Sequence, residues 1–314
     1  MENLVRKRIV NIAKISIGLG LLIFLIIYIE PRMIKETFIK ANKIYLLIAF
    51  LLLPLNLYLQ YFKWELLSSK YFSITDRSKI WLSLFYGISG GIFTPMKSGE
   101  YFARAIPYKD VEVLDVILAT LIDKLIPIIF VVLIGGSFFI FYLKSLLGFS
   151  ILAIIGLIII FITVVLFLLY ILIGNGKTSI KLRKWLNSKK YFSKVLSRVS
   201  FIMNMDRITL TKLVVTSFFY HLTFTTQMTL LLSAYSGEFN FLLFFFVANL
   251  IIFAQIVIPP IAFGEVGVRE GAAVYFLQNL GFSGAIGFSA AISLFFINLL
   301  LPSIVGLLLL LKRN

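Results

Sequence analysis

Residues 95–104 read PMKSGEYFAR and residues 260–269 read PIAFGEVGVR, so the pattern P-x-x-x-G-E-x-x-x-R occurs twice in one chain. Each copy follows an apolar run and precedes a weaker one, so each interrupts a hydrophobic region. Proline removes a backbone donor and glycine frees φ, which ends one helix and lets another begin. We therefore predict two helical hairpins whose helix-breaking residues are Pro95, Gly99, Pro259, Pro260, Gly264 and Gly267.

Each pattern also places a glutamate and an arginine four residues apart, the spacing at which two side chains meet on a helix. These residues are Glu100 and Arg104 in the first copy, and Glu265 and Arg269 in the second. A charge at the centre of a membrane helix costs about 2.5–3.5 kcal/mol on insertion scales. The charges therefore either lock two helix breaks as ion pairs or build a functional site.

The composition indicates an all-α polytopic membrane protein. The 314 residues are 60% hydrophobic and 14% charged, with a mean hydropathy of +1.01, and apolar runs near membrane-spanning length recur along the chain. A net charge of +16 would suit nucleic acid in a soluble protein. Here the basic residues cluster between hydrophobic segments, which favours anionic lipid as the partner and no nucleic acid. The absence of cysteine excludes disulfides and thiolate metal sites.

We predict about six full spans and two re-entrant hairpins. The spans are 9–29, 44–62, 112–142, 149–173, 209–233 and 285–311, the first being retained rather than cleaved as a signal peptide. The first hairpin joins 80–94 to 98–108, because the 15 residues of its first arm cover only about 22 Å of a hydrocarbon core of roughly 30 Å. The second joins 241–258 to 265–279, although the first of these segments could also cross the membrane almost alone.

The order of these segments predicts an inverted-topology repeat within a single domain, residues 1–314. Residues 1–146 read span, span, hairpin, span from the inside, and residues 147–314 read the same from the outside. The hairpins then enter from opposite faces, and their tips can meet near the midplane, as in transporters. The basic clusters place both termini and the linker 174–208 in the cytoplasm, the linker being either an amphipathic segment on an anionic leaflet or a solvated loop. The basic loop 30–43 falls outside.

Irregular backbone at membrane depth is tolerated where it lines a cavity, which makes the two hairpin tips the candidate binding site. Arginine presents a planar fork suited to phosphate, and a glutamate can balance the arginine or bind an amine. Asp123 and Lys124, inside the predicted span 112–142, either extend this polar path or form a local pair. The candidate substrate-binding residues are Lys97, Glu100, Arg104, Asp123, Lys124, Glu265, Arg269 and Glu270.

The sequence contains few of the residues and motifs that enzymatic catalysis requires. The chain has no H-E-x-x-H or G-x-S-x-G motif, no cysteine and one histidine, so we predict no catalytic residue, no metal and no cofactor. The histidine, His221, is interpreted as an interhelical contact rather than a proton relay, and Asn56 and Gln60 in the same way. The glycines within 87–91 indicate close helix packing inside the first hairpin.

The motifs resemble those of the flippase-like membrane region of the lysylphosphatidylglycerol synthase/flippase family, and the resemblance follows the whole chain in segment order. The residues that carry it are Lys63, Trp64, Thr94, Pro95, Gly99, Glu100, Arg104, Pro260, Gly264, Gly267, Arg269, Glu270 and Gly271, with Asp123 and Lys124 where the family has Glu-Arg. The resemblance implies a protein that moves a phospholipid or related lipid between leaflets by means of two re-entrant elements. Because the chain stops at Asn314 directly after the last span, we expect no synthase domain and no lysyl transfer.

We therefore expect a lipid flippase of the plasma membrane that acts on a phospholipid, an aminoacylated phospholipid or a polyprenyl-linked lipid. Arg104 and Arg269 would bind the phosphate, while Glu100, Glu265 and Glu270 would balance charge or bind an amine. The alternative is an accessory subunit of a membrane glycosyltransferase or envelope-synthesis complex that binds lipid without moving it. Movement of lipid by the purified protein distinguishes the two, and the choice between monomer and homo-oligomer is left open.

Overall fold

The computed structural model describes residues 26–92, 94, 97–148, 150–173, 206–258 and 267–312, and every regular element within them is a helix. In chain order these are α1 (Pro31–Lys40), α2 (Lys43–Leu51), α3 (Leu53–Phe72), α4 (Arg77–Ile92), α5 (Ser98–Ala103), α6 (Val113–Phe130), the π-helix π1 (Val131–Gly135), α7 (Gly136–Leu147), α8 (Ile151–Ile173), α9 (Arg207–Ser236), α10 (Phe241–Val257), α11 (Val268–Asn279), α12 (Gly284–Phe295), the π-helix π2 (Phe296–Leu300) and α13 (Leu301–Leu311). The predicted all-α class is confirmed.

Three continuous helical rods are long and apolar enough to cross a membrane. They are Lys43–Phe72, Val113–Lys144 and Gly284–Leu311, of 30, 32 and 28 residues. At 1.5 Å per residue, even 28 residues extend about 42 Å, more than a hydrocarbon core of roughly 30 Å. Helices α9 and α10 make a fourth candidate if they are taken together, with a bend of 118° between them.

The rods lie where the sequence predicted the spans 44–62, 112–142 and 285–311, and they extend beyond each of them. Helices α8 and α9 likewise cover the predicted spans 149–173 and 209–233. The predicted span 9–29 and the linker 174–208 lie almost wholly outside the described residues. The number of full spans therefore stays a prediction, as does the inverted relation of the two halves.

The first predicted hairpin is present as α4 and α5, with α5 folded back along α4. Gly87 lies against the side chain of Arg104, and Gly90 lies against Gly99 and Ala103. Any Cβ at Gly87 would stand 2.5 Å from Cγ of Arg104, so the glycines permit the close packing that the sequence predicted. The residue with positive φ is Lys97, at 51°, rather than Gly99. A glycine is needed at position 99 because a Cβ there would collide with the carbonyl oxygen of Gly90.

The second predicted hairpin is present as α10 and α11, which pack together in the larger apolar core. Helix α11 begins after Gly267, whose φ of 106° is open to glycine at little cost. The backbone N–H of Gly267 donates to Glu270 Oε2 at 2.6 Å, which caps the start of the helix. Three predicted helix-breaking residues of this hairpin, Pro259, Pro260 and Gly264, lie outside the described residues.

The connection 30–43 between the first two predicted spans contains a helix, α1. Its apolar side packs on the bundle, where Phe38 meets the ring of Tyr235 edge to face at 5.0 Å and Ile34 joins a small core around Phe288. Its basic side chains are exposed, and Glu36 pairs with Arg32 at 3.0 Å. Although basic and acidic residues are mixed along this segment, its apolar residues fall on one face of the helix, which makes α1 amphipathic.

The loops of the described chain gather at two ends of the bundle. At one end Lys70 pairs with Asp206 at 2.9 Å. At the other end the backbone N–H of Asn42 donates to the carbonyl of Ala234 at 2.8 Å, and the rings of Tyr45 and Phe239 stack at 5.4 Å. The predicted topology requires this arrangement. It assigns the end with Lys70 and Asp206 to the cytoplasm, and the end with Asn42, Ala234 and Phe239 to the outside.

Candidate functional site

A cavity of about 280 Å³ lies between the two hairpins and is walled by both of them. Helices α3, α6 and α9 and the π-helices π1 and π2 complete its lining. Its charged lining residues are Lys63, Lys97, Glu100, Asp123, Lys124 and Arg269. The structure therefore brings residues of both sequence motifs to one cavity, together with the predicted pair from the span 112–142.

An alternating chain of five charges runs along one wall of this cavity, with four of the five on the wall itself. Lys63 pairs with Asp123 at 2.9 Å, and Arg104 joins Asp123 at 3.0 Å to Glu100 at 2.7 Å. Lys124 closes the chain by a 2.7 Å contact with Glu100. Asp123 and Lys124 thus have partners on other segments, which replaces the alternative of a local pair. Buried charges of this kind require that each carboxylate be balanced by cations.

Arg104 lies behind this wall rather than on it. Its side chain has 0% exposure, its Nη1 and Nη2 atoms donate to the two carboxylates, and its guanidinium covers the ring of Trp64 at 4.5 Å. Trp64 is fixed in turn, because its Nε1–H donates to Ser83 Oγ at 2.9 Å. We therefore revise the predicted phosphate contact of Arg104. A guanidinium held in this way positions Glu100 and Asp123.

Among the charged residues that line the cavity in the described chain, Lys63 is the one that the sequence-based site omitted. It sits in the middle of α3, beneath the ring of Tyr220 at 4.9 Å, and its Nζ also donates to the backbone carbonyl of Asp123 at 3.1 Å. That carbonyl lacks its usual helical donor because the fourth residue after it is Pro127, which has no N–H. The spacing of Asp123 and Pro127 was the available signal, since it predicts a free carbonyl in need of a donor.

The second motif contributes Arg269, whose side chain is 1% exposed. Arg269 Nη2 donates to Glu270 Oε1 at 2.8 Å, so its described partner is the adjacent carboxylate. Its Nε is buried and has no hydrogen-bond partner within the described residues. Glu265, the predicted partner four residues before it, lies outside those residues. Arg269 therefore lines the cavity as one member of a buried ion pair with Glu270.

A second part of the lining carries neutral polar groups. Asn56, Gln60 and Asn298 line the cavity, and Gln60 Nε2 donates to Asn56 Oδ1 at 2.8 Å. Gln227 joins Asn56 to Asn298, with bonds of 3.3 and 3.0 Å. These side chains come from two of the rods and from α9, so the amides bind these helices together.

His221 also lines the cavity, and it makes the interhelical contact that the sequence predicted. Its Nε2 lies 3.1 Å from Asn249 Oδ1 on α10. Asn249 Nδ2 is occupied by the Phe245 carbonyl at 2.9 Å, so Oδ1 is the acceptor and His221 Nε2 donates. His221 therefore joins α9 to α10 as a hydrogen-bond donor.

Among the described residues no group of three or more His, Cys, Asp or Glu side chains is placed to hold a metal ion. The described part of the chamber offers cationic donors beside neutral amides, with a cation against each of its carboxylates. Such a chamber suits the reversible binding of a polar group at membrane depth.

Comparison with known proteins returns one family. A family model described as the lysylphosphatidylglycerol synthase TM region matches residues 11–306, which include every residue of the cavity. A search of curated proteins finds no match.

Proposed function

Because the chain belongs to the family of the lysylphosphatidylglycerol synthase TM region, we propose that it is a lipid flippase or transporter that moves a phosphate-bearing lipid between leaflets. The observation that carries this proposal is the single cavity walled by both hairpin motifs. The headgroup enters this cavity while the tails remain in the bilayer. Family membership by itself supports only a membrane protein with a lipid-related role.

The size of the cavity supports binding of a headgroup rather than of a whole lipid. Pockets for small ligands measure about 300–1,000 Å³, and this cavity of about 280 Å³ lies just below that range. Two acyl chains would need far more room than that. Arg269, with Lys97 and Lys124, supplies cationic donors where a phosphate would lie.

The symmetry of the parts supports an inverted repeat that opens the cavity to each side in turn. Each half supplies a long helical segment followed by a hairpin, and then a rod interrupted by a π-helix, π1 or π2. All of these elements contribute residues to the cavity lining. Broken helices at a repeat interface are the usual setting of a transport site. If charge moves with the lipid, the membrane potential contributes roughly 2.3 kcal/mol per charge per 100 mV.

We place the protein in the plasma membrane with both termini in the cytoplasm. The support is the basic character of Arg6, Lys7, Arg8 and of the linker 174–208, since short cytoplasmic segments collect Lys and Arg. The linker also supplies a surface for the anionic leaflet. The membrane region of this family is distinct from the catalytic synthase domain, which supports a transporter rather than an enzyme.

Leaflet exchange in proteoliposomes tests this proposal. The purified protein would be reconstituted with headgroup-labelled anionic, aminoacylated and polyprenyl-phosphate lipids, with an imposed potential or pH gradient. We expect one class to cross, and we expect Lys97→Gln and Arg269→Gln to slow its crossing at least tenfold, on the order of 1.4 kcal/mol. Lys35→Gln removes an exposed charge on α1 and serves as the matched control.

Folding of each variant would be checked by thermal unfolding before transport is compared. Movement of one lipid class that both cavity variants lose, and that the control retains, supports the flippase. No movement of any lipid under any gradient would overturn it in favour of an accessory subunit.

A further inference from the structure

The cavity lies between two packed apolar cores along the axis of the bundle. Toward the Lys70–Asp206 end, Trp64 belongs to one buried apolar cluster. Toward the Asn42–Ala234 end, Leu231 belongs to another. Close-packed apolar side chains are costly for a polar group to cross. The described packing therefore directs an entering headgroup to the side of the bundle rather than to either end.

On α6 the cavity lining is continuous with an outer surface of the bundle. Lys124 and Ile128 line the cavity, and the side chain of Lys124 is 33% exposed. Leu121 and Leu125 occupy the same face of the helix at neighbouring turns and are exposed. Ile128 stands at the midpoint of the rod Val113–Lys144, so this face lies at the depth of the hydrocarbon core.

The last turn of α10 forms the opposite side of the opening. Gln255 and Ile256 line the cavity, and Ile256 is also exposed. Helix α10 crosses the rod closely at Gly135, where a Cβ would stand 2.7 Å from the Cβ of Phe253. Beyond this crossing, toward the first hairpin, both helices border the cavity. We call the opening between the last turn of α10 and the face 124–128 of α6 the lateral mouth.

An ion pair lies at the lateral mouth. Lys124 Nζ is 2.7 Å from Glu100 Oε1, and Glu100 is buried whereas Lys124 is partly exposed. A lysine ammonium has three N–H donors, so the contact with Glu100 leaves others that can reach a headgroup. Every phospholipid headgroup carries a phosphate, with or without an amine, and this contact is common to both kinds. Ionisable groups at membrane depth usually line the path of a substrate.

We propose that the lateral mouth is the entrance through which the headgroup of a bilayer phospholipid reaches the cavity. Its chains lie along Leu121 and Leu125, Lys124 makes the first contact with its phosphate, and Ile128 and Ile256 set the width of the passage. The occupant is a membrane lipid because the mouth opens at the depth of the hydrocarbon core. This inference rests on the lipid-binding part of the proposed function and not on movement between leaflets.

Single cysteines test the entrance, since the natural chain has none. Ile256→Cys places a thiol at the mouth, and Ile160→Cys, on an exposed face near the middle of α8, is the matched control. Proteoliposomes of the full chain would contain phosphatidylethanolamine with a maleimide on its headgroup. We expect coupling at least tenfold faster at position 256 than at position 160, after each rate is divided by the rate with N-ethylmaleimide to correct for thiol reactivity. Equal corrected rates would overturn the entrance.

A second comparison follows the headgroup into the cavity. Gln60→Cys places the thiol in the buried lining, and Ile128→Trp added to the same chain narrows the mouth. We expect the tryptophan to slow coupling at least tenfold. Val164→Trp, at an exposed position of α8, is the control and should leave the rate unchanged. With each variant shown by thermal unfolding to be folded, equal rates in the two tryptophan variants would overturn the mouth as the route.

Both measurements separate the entrance from transport, because coupling requires neither a gradient nor leaflet exchange. Coupling at the mouth without leaflet exchange would keep the entrance and overturn transport in favour of the accessory subunit. Leaflet exchange with coupling at the mouth no faster than at the control would keep transport and overturn the entrance.

Discussion

Asp123 is the carboxylate that balances two buried cations from two other segments. It bonds Arg104 and pairs with Lys63 on another rod, and its own backbone carbonyl accepts from the same lysine. Each of these three side chains is at most 3% exposed. Removal of the carboxylate would leave Lys63 without a described carboxylate partner and Arg104 with Glu100 alone, and a buried cation without its counter-ion is strongly destabilising.

We predict that Asp123→Asn lowers the free energy of unfolding by about 3–5 kcal/mol, because it leaves buried cations without their counter-ion. Asp115→Asn is the matched control, since Asp115 is exposed in the first turn of the same helix and its change should cost less than about 1 kcal/mol. Thermal unfolding of the purified proteins in one detergent measures both. Equal unfolding temperatures for the two variants would show that the network is not needed for stability.

At the scale of elements, the first hairpin is held by the closing rod of the other half. Ser89 Oγ on α4 donates to the Ser303 carbonyl on α13 at 2.8 Å, and the Tyr86 hydroxyl donates to the Leu309 carbonyl at 3.3 Å. Gly306 allows the contact, because a Cβ there would collide with the Phe85 carbonyl and Ser89 Oγ. Small residues at a close helix crossing are the general means of packing in membranes.

We predict that Gly306→Ala separates α4 from α13 and lowers the free energy of unfolding by about 1–3 kcal/mol, as overpacking generally does. The neighbouring atom is a backbone carbonyl, which cannot rotate away. Gly156→Ala on α8 is the control, because a Cβ at Gly156 meets nothing within 4 Å. Thermal unfolding again gives the comparison, and a variant as stable as the control would contradict the close crossing.

For the whole molecule, the main question is which end of the bundle faces the cytoplasm. Lys79, in the first turn of α4, lies at the same end of the bundle as the Lys70–Asp206 pair. Phe239 lies at the other end, beside the Asn42–Ala234 hydrogen bond. The basic N-terminal segment and linker assign the first end to the cytoplasm. The described basic residues alone do not decide this, because Arg32, Lys35 and Lys40 stand at the opposite end.

We predict that a cysteine at Lys79→Cys reacts with a membrane-impermeant reagent only from the cytoplasmic side, and one at Phe239→Cys only from the outside. The natural chain contains no cysteine, so each variant carries a single reactive thiol. Labelling of intact and of opened cells measures the sidedness. Reaction of both positions from the same side would contradict the bundle ends described above.

The sequence by itself determined the helical class, the membrane character and the positions of the two helix breaks. It also singled out Glu100, Asp123, Lys124 and Arg269, which the structure brings to one cavity. These follow from local physics: apolar runs of spanning length make helices in lipid, and proline with glycine ends them. The glycine packing and the interhelical role of His221 were also accessible, because small and lone polar residues in membrane helices usually serve contacts.

Only the tertiary structure decided which charged side chains form ion pairs with one another. Arg104 has the right spacing to Glu100, yet its reach to Asp123 and Trp64 depends on how α4, α5 and α6 pack, so the fold puts it behind the cavity wall. Lys63 comes to the cavity because the carbonyl freed by Pro127 faces α3. Pairings between segments far apart in the chain depend on packing of whole helices, which no local spacing specifies.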